Sequence, residues 1–184
     1  MSRIDDLAEL YERHIGAPWL KNLAGAQRIL FAVYPKEDER RLRIKLQDFQ
    51  QRTVAAGHQW QELDLTDVFP AWMAGEEYRD EYFHSPEDLY SVGKLDAEFA
   101  NYCAARLREA LTAPEVTDDT VVVVHGVGAL FGFTRLHFIL QKVEGDIRGR
   151  LLVFFPGTYE QNAYRLLDAR DNWNYLATPL SCNA

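Results

Sequence analysis

TVVVVHGVGALFGFTRLHFIL, residues 120–140, decides the fold. Four valines run into His125, Gly126-Val-Gly128 follow, and the apolar positions then recur at helical spacing. The stretch predicts a buried strand over 120–125, a glycine turn, and a helix over about 131–143. Strand, glycine turn and helix in that order is how many α/β proteins hold a phosphate, at the carboxyl end of a strand and the start of a helix.

The flanking sequence supplies the rest of such a sheet. Residues 2–15 predict a helix, with Ser2 as N-cap, Asp5 three residues on, and Ile4, Leu7, Tyr11 and Ile15 on one face. RILFAVY (28–34) predicts a strand buried on both faces, ended by Pro35. The helix after it opens with acids, carries Leu42, Leu46 and Phe49, and stops at Gly57. HQWQELDL (58–65) alternates as a strand does. Strand, helix, strand is a βαβ unit, hence a parallel sheet. Further on come a helix start at Ser85-Pro86, a helix over 94–111 with Leu95, Phe99, Cys103 and Leu107 inward, and a strand at 150–155. A short helix is expected from the capping box Thr158–Gln161, and an edge strand at 172–180. The class is α/β: about five mostly parallel strands with helices on both faces, in a single domain over 1–184. Residues 66–93, with Pro70, Gly75, Pro86 and Gly93, form an irregular acidic and aromatic insertion.

The 184 residues are enough for one core without a disulfide or a metal. Cys103 and Cys182 are unpaired in sequence, and no signal peptide or membrane span is read, so a reducing, cytoplasmic setting is expected. The net charge is −8 and uneven: from Glu62 to Asp88 nine acids face one base, Arg79. An acidic flank repels phosphate backbones and argues against direct DNA binding. It is either a solvated surface or a contact for a basic partner.

The glycine turn has the right place and the wrong contents. A Walker A loop needs G-x-x-x-x-G-K-[ST], and no lysine follows here. A dinucleotide fingerprint needs G-x-G-x-x-G, and Gly126-Val-Gly128-Ala-Leu-Phe-Gly132 is one residue too long. The glycines either serve tight backbone geometry or, with Arg135 and His137 just beyond, form a candidate anion site. Arg135 and His137 are two apart and point in different directions if both are helical. Asp64 and Asp67 are acids that either hold a metal or cap the following helix. His14, His58 and His84 have no evident partner in sequence. No nucleophile, paired-carboxylate or metal motif assembles, and neither metal nor cofactor is expected.

Three stretches in order, RILFAVYPKEDERRLRIKL, VVVVHGVGALFGFTRLHFIL, and LLVFFPGTYEQNAYRLL with NWNYLATPL, resemble the BrxB family of BREX (bacteriophage exclusion) defence systems. The likeness runs from about residue 3 to 180. It departs from the family pattern at Gly132-Phe133, where a proline is expected. The resemblance implies a defence protein with no known catalytic activity: an assembly or adaptor subunit beside an ATPase (BrxC), a methyltransferase (PglX) and a phosphatase-like protein (PglZ). PglZ is the first partner expected. The aromatics Trp72, Tyr78, Tyr82 and Phe83, set among the acids, are the candidate interface. The alternative is a nucleotide-responsive subunit or weak NTPase using the 125–135 turn.

Overall fold

A computed structural model describes residues 2–91, 93–170 and 172–182. β1 (Ile29–Tyr34) and β3 (Thr120–His125) are buried along their whole length, and β4 (Arg150–Glu160) over its first eight residues. Such unbroken apolar runs suit strands covered on both faces. They lie centrally in a sheet of order β2-β3-β4-β1-β6, all parallel, with β2 (Gln59–Asp64) and β6 (Thr178–Ser181) at the edges. The edges carry the cues for their place: β2 is half exposed, and β6 contains Pro179, which cannot donate to a ladder.

Period-two alternation sends neighbouring residues to opposite faces. Leu30, Ala32, Val121, Val123, Leu152 and Phe154 pack under α1 (Arg3–Ile15) and α2 (Glu39–Ala55). Phe31, Val33, Val122, Val124, Val153 and Phe155 pack under the remaining helices. Those are α3 (Val68–Ala74), α5 (Glu87–Ser91), α6 (Ala100–Leu111) and α7 (Leu136–Val143), while α4 (Arg79–His84) reaches this layer through the partly buried Tyr82. The split follows from topology. The step from β1 to β2 runs one way along the sheet, and the steps from β2 to β3, β3 to β4 and β4 to β6 run the other. Crossovers of a single hand must then lie on opposite faces.

α1 begins as its sequence predicts. The Asp5 amide donates to Ser2 Oγ at 3.3 Å and the Ser2 amide to Asp5 Oδ2 at 2.9 Å. Lys45 on α2 pairs with Asp5 at 2.8 Å and joins the two helices. Between them the buried hydroxyls of Tyr11 and Thr53 are 2.6 Å apart, and Thr53 donates to the Phe49 carbonyl.

Four expected elements differ. The helix foreseen at Thr158–Gln161 is instead the end of β4, which folds back on β5 (Ala163–Leu166) as an antiparallel hairpin. Gln161 and Asn162 at its tip have φ of 50° and 61°, the paired positive φ that a two-residue hairpin turn needs. The helix foreseen from 131 starts at Leu136. A single 3₁₀ turn (Val127–Leu130) comes first, and Gly132, at φ +79°, breaks any continuous helix. The helix over 94–111 opens with a π-helical turn, Leu95–Phe99, before α6. In the last expected strand only Thr178–Ser181 joins the sheet, and Trp173 makes an isolated bridge to Tyr164.

Candidate functional site

The glycine turn sits where the chain order places it, after β3 at the carboxyl edge of the sheet. Gly126 has φ +75°, which favours glycine, and a β-carbon there would meet the Thr66 amide nitrogen and hydroxyl at 2.6 Å and Asp64 Oδ1 at 2.7 Å. The turn is therefore closed against the end of β2. Asp64 accepts the Thr66 amide at 2.8 Å and the Thr66 hydroxyl at 2.5 Å. Arg43 on α2 reaches the same hydroxyl at 3.0 Å and Glu39 at 2.9 Å, and Tyr34 at the end of β1 also bonds Glu39. The buried imidazole of His125 bonds Glu62 through Nε2 at 2.8 Å and has Nδ1 3.5 Å from Asp64. Burial pushes the Asp64 carboxyl up, but the Thr66 hydrogen bonds and the nearby His125 and Arg43 outweigh it, so its pKa lies below the ordinary value. A charged carboxylate against the glycine repels an anion.

The second glycine has neighbours on the other side at ordinary contact distance. In this topology the connections of β4 and β1 leave in opposite directions, so the crevice beyond those neighbours is where an open α/β sheet keeps a ligand. Here the chain itself fills it. β4 runs on past Pro156 into its hairpin, the Leu167 amide returns to the Pro156 carbonyl at 2.8 Å, and Lys36 after β1 pairs with Asp168. A β-carbon on Gly128 would lie 3.8 Å from Pro156 and 3.9 Å from Leu167.

Arg135 and His137 are not gathered with the glycines. Arg135 immediately precedes α7, with its guanidinium 5.8 Å from the Phe138 ring centre. His137 lies on the helix, its ring against Phe138 and Trp173. Arg135 lines a separate cleft of about 560 Å³ between α5, the Phe131–Leu136 stretch and the loop after β5. Tyr90, Leu95, Phe131, Phe138 and Trp173 supply its apolar walls. Neither glycine lines it.

The acidic segment resolves into α3, α4 and α5. Trp72, expected at the surface, is 6% exposed and packs on Phe69 and Phe99; it belongs to the core, because α3 lays its Val68, Trp72 and Met73 face on the sheet layer. Tyr82 is partly buried, with the Lys94 ammonium 5.7 Å from its ring centre. Lys94 also binds Glu76 at 2.5 Å and Glu98 at 2.7 Å, which draws part of the acidic charge inward. Tyr78 and Phe83 stand out, 51% and 68% exposed. α4 buries none of its residues, and α5 buries only Leu89. Sequence reading missed Tyr90, 59% exposed, and the exposed Phe131, which extend this aromatic surface to the cleft. For Tyr90 the available signal was an aromatic with no apolar neighbour at helical spacing; Phe131, with Val127 four residues before it, gave no such signal.

Among the described residues no group of three or more His, Cys, Asp or Glu is arranged to hold a metal ion. No helix among them is long and apolar enough to cross a membrane. The family model described as BREX protein BrxB matches residues 62–180, from β2 through β6. No curated protein and no solved structure matches the chain.

Proposed function

The chain belongs to the BrxB family of BREX proteins, a component of phage defence, and on that premise we propose that it is a non-catalytic assembly subunit whose docking surface is α4, α5 and the adjoining cleft. The observation that carries this reading is α4. It is six residues long and buries none of them, yet it presents Phe83, with Tyr78 just before it, among Glu77, Asp80 and Glu81. Isolated helices this short are marginal in water, and most helical stability comes from packing an apolar face. A helix whose large apolar side chain faces solvent gains that packing from a second protein. Aromatic anchors within a charged rim are the usual composition of such interfaces. The cleft beside Tyr90 and Phe131 gives a partner side chain somewhere to insert.

The partner is a larger BREX protein, a PglZ-like one first, with BrxC-like or PglX-like proteins next. The acidic rim favours a basic patch on it. A nucleotide-responsive role at the 125–135 turn is disfavoured by Asp64 against Gly126 and by the hairpin over Gly128.

The test is to express the tagged protein with its native neighbouring genes, purify it, and identify stoichiometric partners by mass spectrometry. The reading expects a PglZ-like partner that is lost from the Tyr78→Ala, Phe83→Ala double variant while the melting temperature holds. Retention of the partner by that variant, or a flat partner profile in the wild type, sinks it.

A further inference from the structure

The opposite end of the sheet holds a concentration of positive charge that the partner reading does not use. At the amino ends of β1, β3 and β4 a cleft of about 630 Å³ is lined by Lys21, Arg28, Arg148 and Arg150, with Asp118 and Asp119 at one side. The size is that of a small-molecule site. In a chain of net charge −8, four cations face two acids here.

Arg150 is 7% exposed. Its guanidinium donates to the carbonyls of Gly149 at 3.0 Å and Leu20 at 3.3 Å, and lies 4.7 Å from the Trp19 ring centre. Trp19 in turn stacks on His58 at 3.8 Å, and His58 Nδ1 is buried with no hydrogen-bond partner. Arg28 donates only to carbonyls, those of Leu23, Ile147, Arg148 and Lys21. Among the described residues neither Arg28 nor Arg150 has a carboxylate in ion-pair contact. Arg148 donates to the Val116 carbonyl at 2.8 Å, and its nearest carboxylate is the exposed Asp118, 3.9 Å away.

The carbonyls that these guanidiniums satisfy belong to the loops entering β1 and β4, at Leu20, Lys21, Leu23 and Ile147–Gly149. Carbonyl dipoles do not cancel net charge, however. Burial, and then the neighbouring Arg28, lower the Arg150 pKa, which marks its charged form as strained. A buried guanidinium without a counter-charge is costly, and a bound anion offsets the cost.

We propose that this cleft binds a phosphoryl group, as free phosphate or as the monoester of a small molecule. The Arg148 and Arg150 guanidiniums keep N–H donors for charge-assisted hydrogen bonds to phosphate oxygens, Arg28 adds charge with most of its donors held by carbonyls, and Lys21 adds a mobile ammonium at the rim. Asp118 and Asp119 cap the tolerated charge and exclude a long polyanion. The Trp19–His58 stack forms an apolar wall for whatever bears the phosphate.

The test is calorimetric and thermal titration of the full chain with sodium phosphate, with sodium chloride at equal ionic strength as control, and with adenosine 5′-monophosphate and citrate as further arms. Phosphate is expected to raise the melting temperature in a concentration-dependent way that chloride does not reproduce. Lys21→Ala with Arg148→Ala removes two exposed side chains and one hydrogen bond to the Val116 carbonyl, is checked for folding by its unliganded melting curve, and should weaken phosphate binding about tenfold or more. Arg150→Gln should abolish it, and its unliganded melting curve reports whether the variant folds. Tighter binding of the nucleotide than of phosphate assigns a monoester, and equal binding assigns free phosphate. Equal stabilisation by chloride, undiminished phosphate binding in the Lys21, Arg148 variant, or an equal response to citrate overturns the proposal.

Discussion

A β-carbon on Gly126 would stand 2.7 Å from the Asp64 carboxylate and 2.6 Å from the Thr66 backbone nitrogen. The end of β2 thus packs directly on Gly126, with a carboxylate against it. Gly126→Ala is accordingly expected to act on stability, not on ligand affinity. The φ of +75° alone costs a substituted residue about 1–3 kcal/mol, and the backbone contact adds to it. Gly128→Ala is the control. Its nearest new neighbours lie at ordinary contact distance, so it should cost less than about 1 kcal/mol. Urea denaturation of both variants decides this, and equal losses would contradict the geometry.

The four aromatics that resemblance placed at an interface divide into two kinds. Trp72→Ala empties a core position against Phe99 and is expected to cost about 3–5 kcal/mol. Tyr78→Ala and Phe83→Ala remove exposed rings and should each stay within about 0.5 kcal/mol. Partner affinity should show the reverse order once the folded fraction is matched. A Phe83→Ala variant that unfolds like Trp72→Ala would mean that α4 packs inward in solution.

The difference between those rings explains what was legible in the sequence. β1 and β3 were legible from their unbroken apolar runs, and α1 because the Ser2–Asp5 cap precedes apolar residues at helical spacing, Ile4, Leu7, Tyr11 and Ile15. The order of strands was not, since it depends on which way each crossover travels. Thr158–Gln161 satisfies a capping box and a strand end equally, and only pairing with Ala163–Leu166 chooses between them. In 66–93 Trp72 has Val68 and Phe69 at helical spacing and Phe83 has no such apolar residue, but the difference can be read only once the prolines and glycines of the segment are known to separate short helices. Arg28 and Arg150 lie far apart in the chain, and the parallel pairing of β1 with β4 joins their neighbourhoods.

The Ser2–Asp5 cap carries a pH dependence of definite sign. The hydrogen bond from Lys45, then those from Ser2, hold the Asp5 carboxyl well below the usual carboxylate range. A depressed acid contributes stability above its unfolded pKa, about 3.9, and loses it as pH falls towards the folded value. Acid denaturation of Asp5→Asn should therefore be shallower than that of wild type below about pH 4, although the variant is less stable at pH 7. Ser2→Ala should cost about 1 kcal/mol at neutral pH. Parallel acid titrations of wild type and Asp5→Asn would refute the assignment.

His14 gives a dependence of the same sign nearer neutrality, from a penalised rather than a favoured charge. Burial, and then the charge of Arg150, lower its pKa from the ordinary 6.5. Above that value both folded and unfolded chains hold it neutral, and it contributes no slope. As pH falls below about 6.5 the unfolded chain takes up the proton first, so stability drops until the folded pKa is passed. Urea midpoints between pH 7.5 and 5 should decline more in wild type than in His14→Gln. Phosphate bound beside Arg150 should shrink that difference, because an anion there offsets the charge that disfavours protonation of His14. Equal declines in both proteins would remove His14 from the account, and a difference that phosphate leaves unchanged would separate it from the basic cleft.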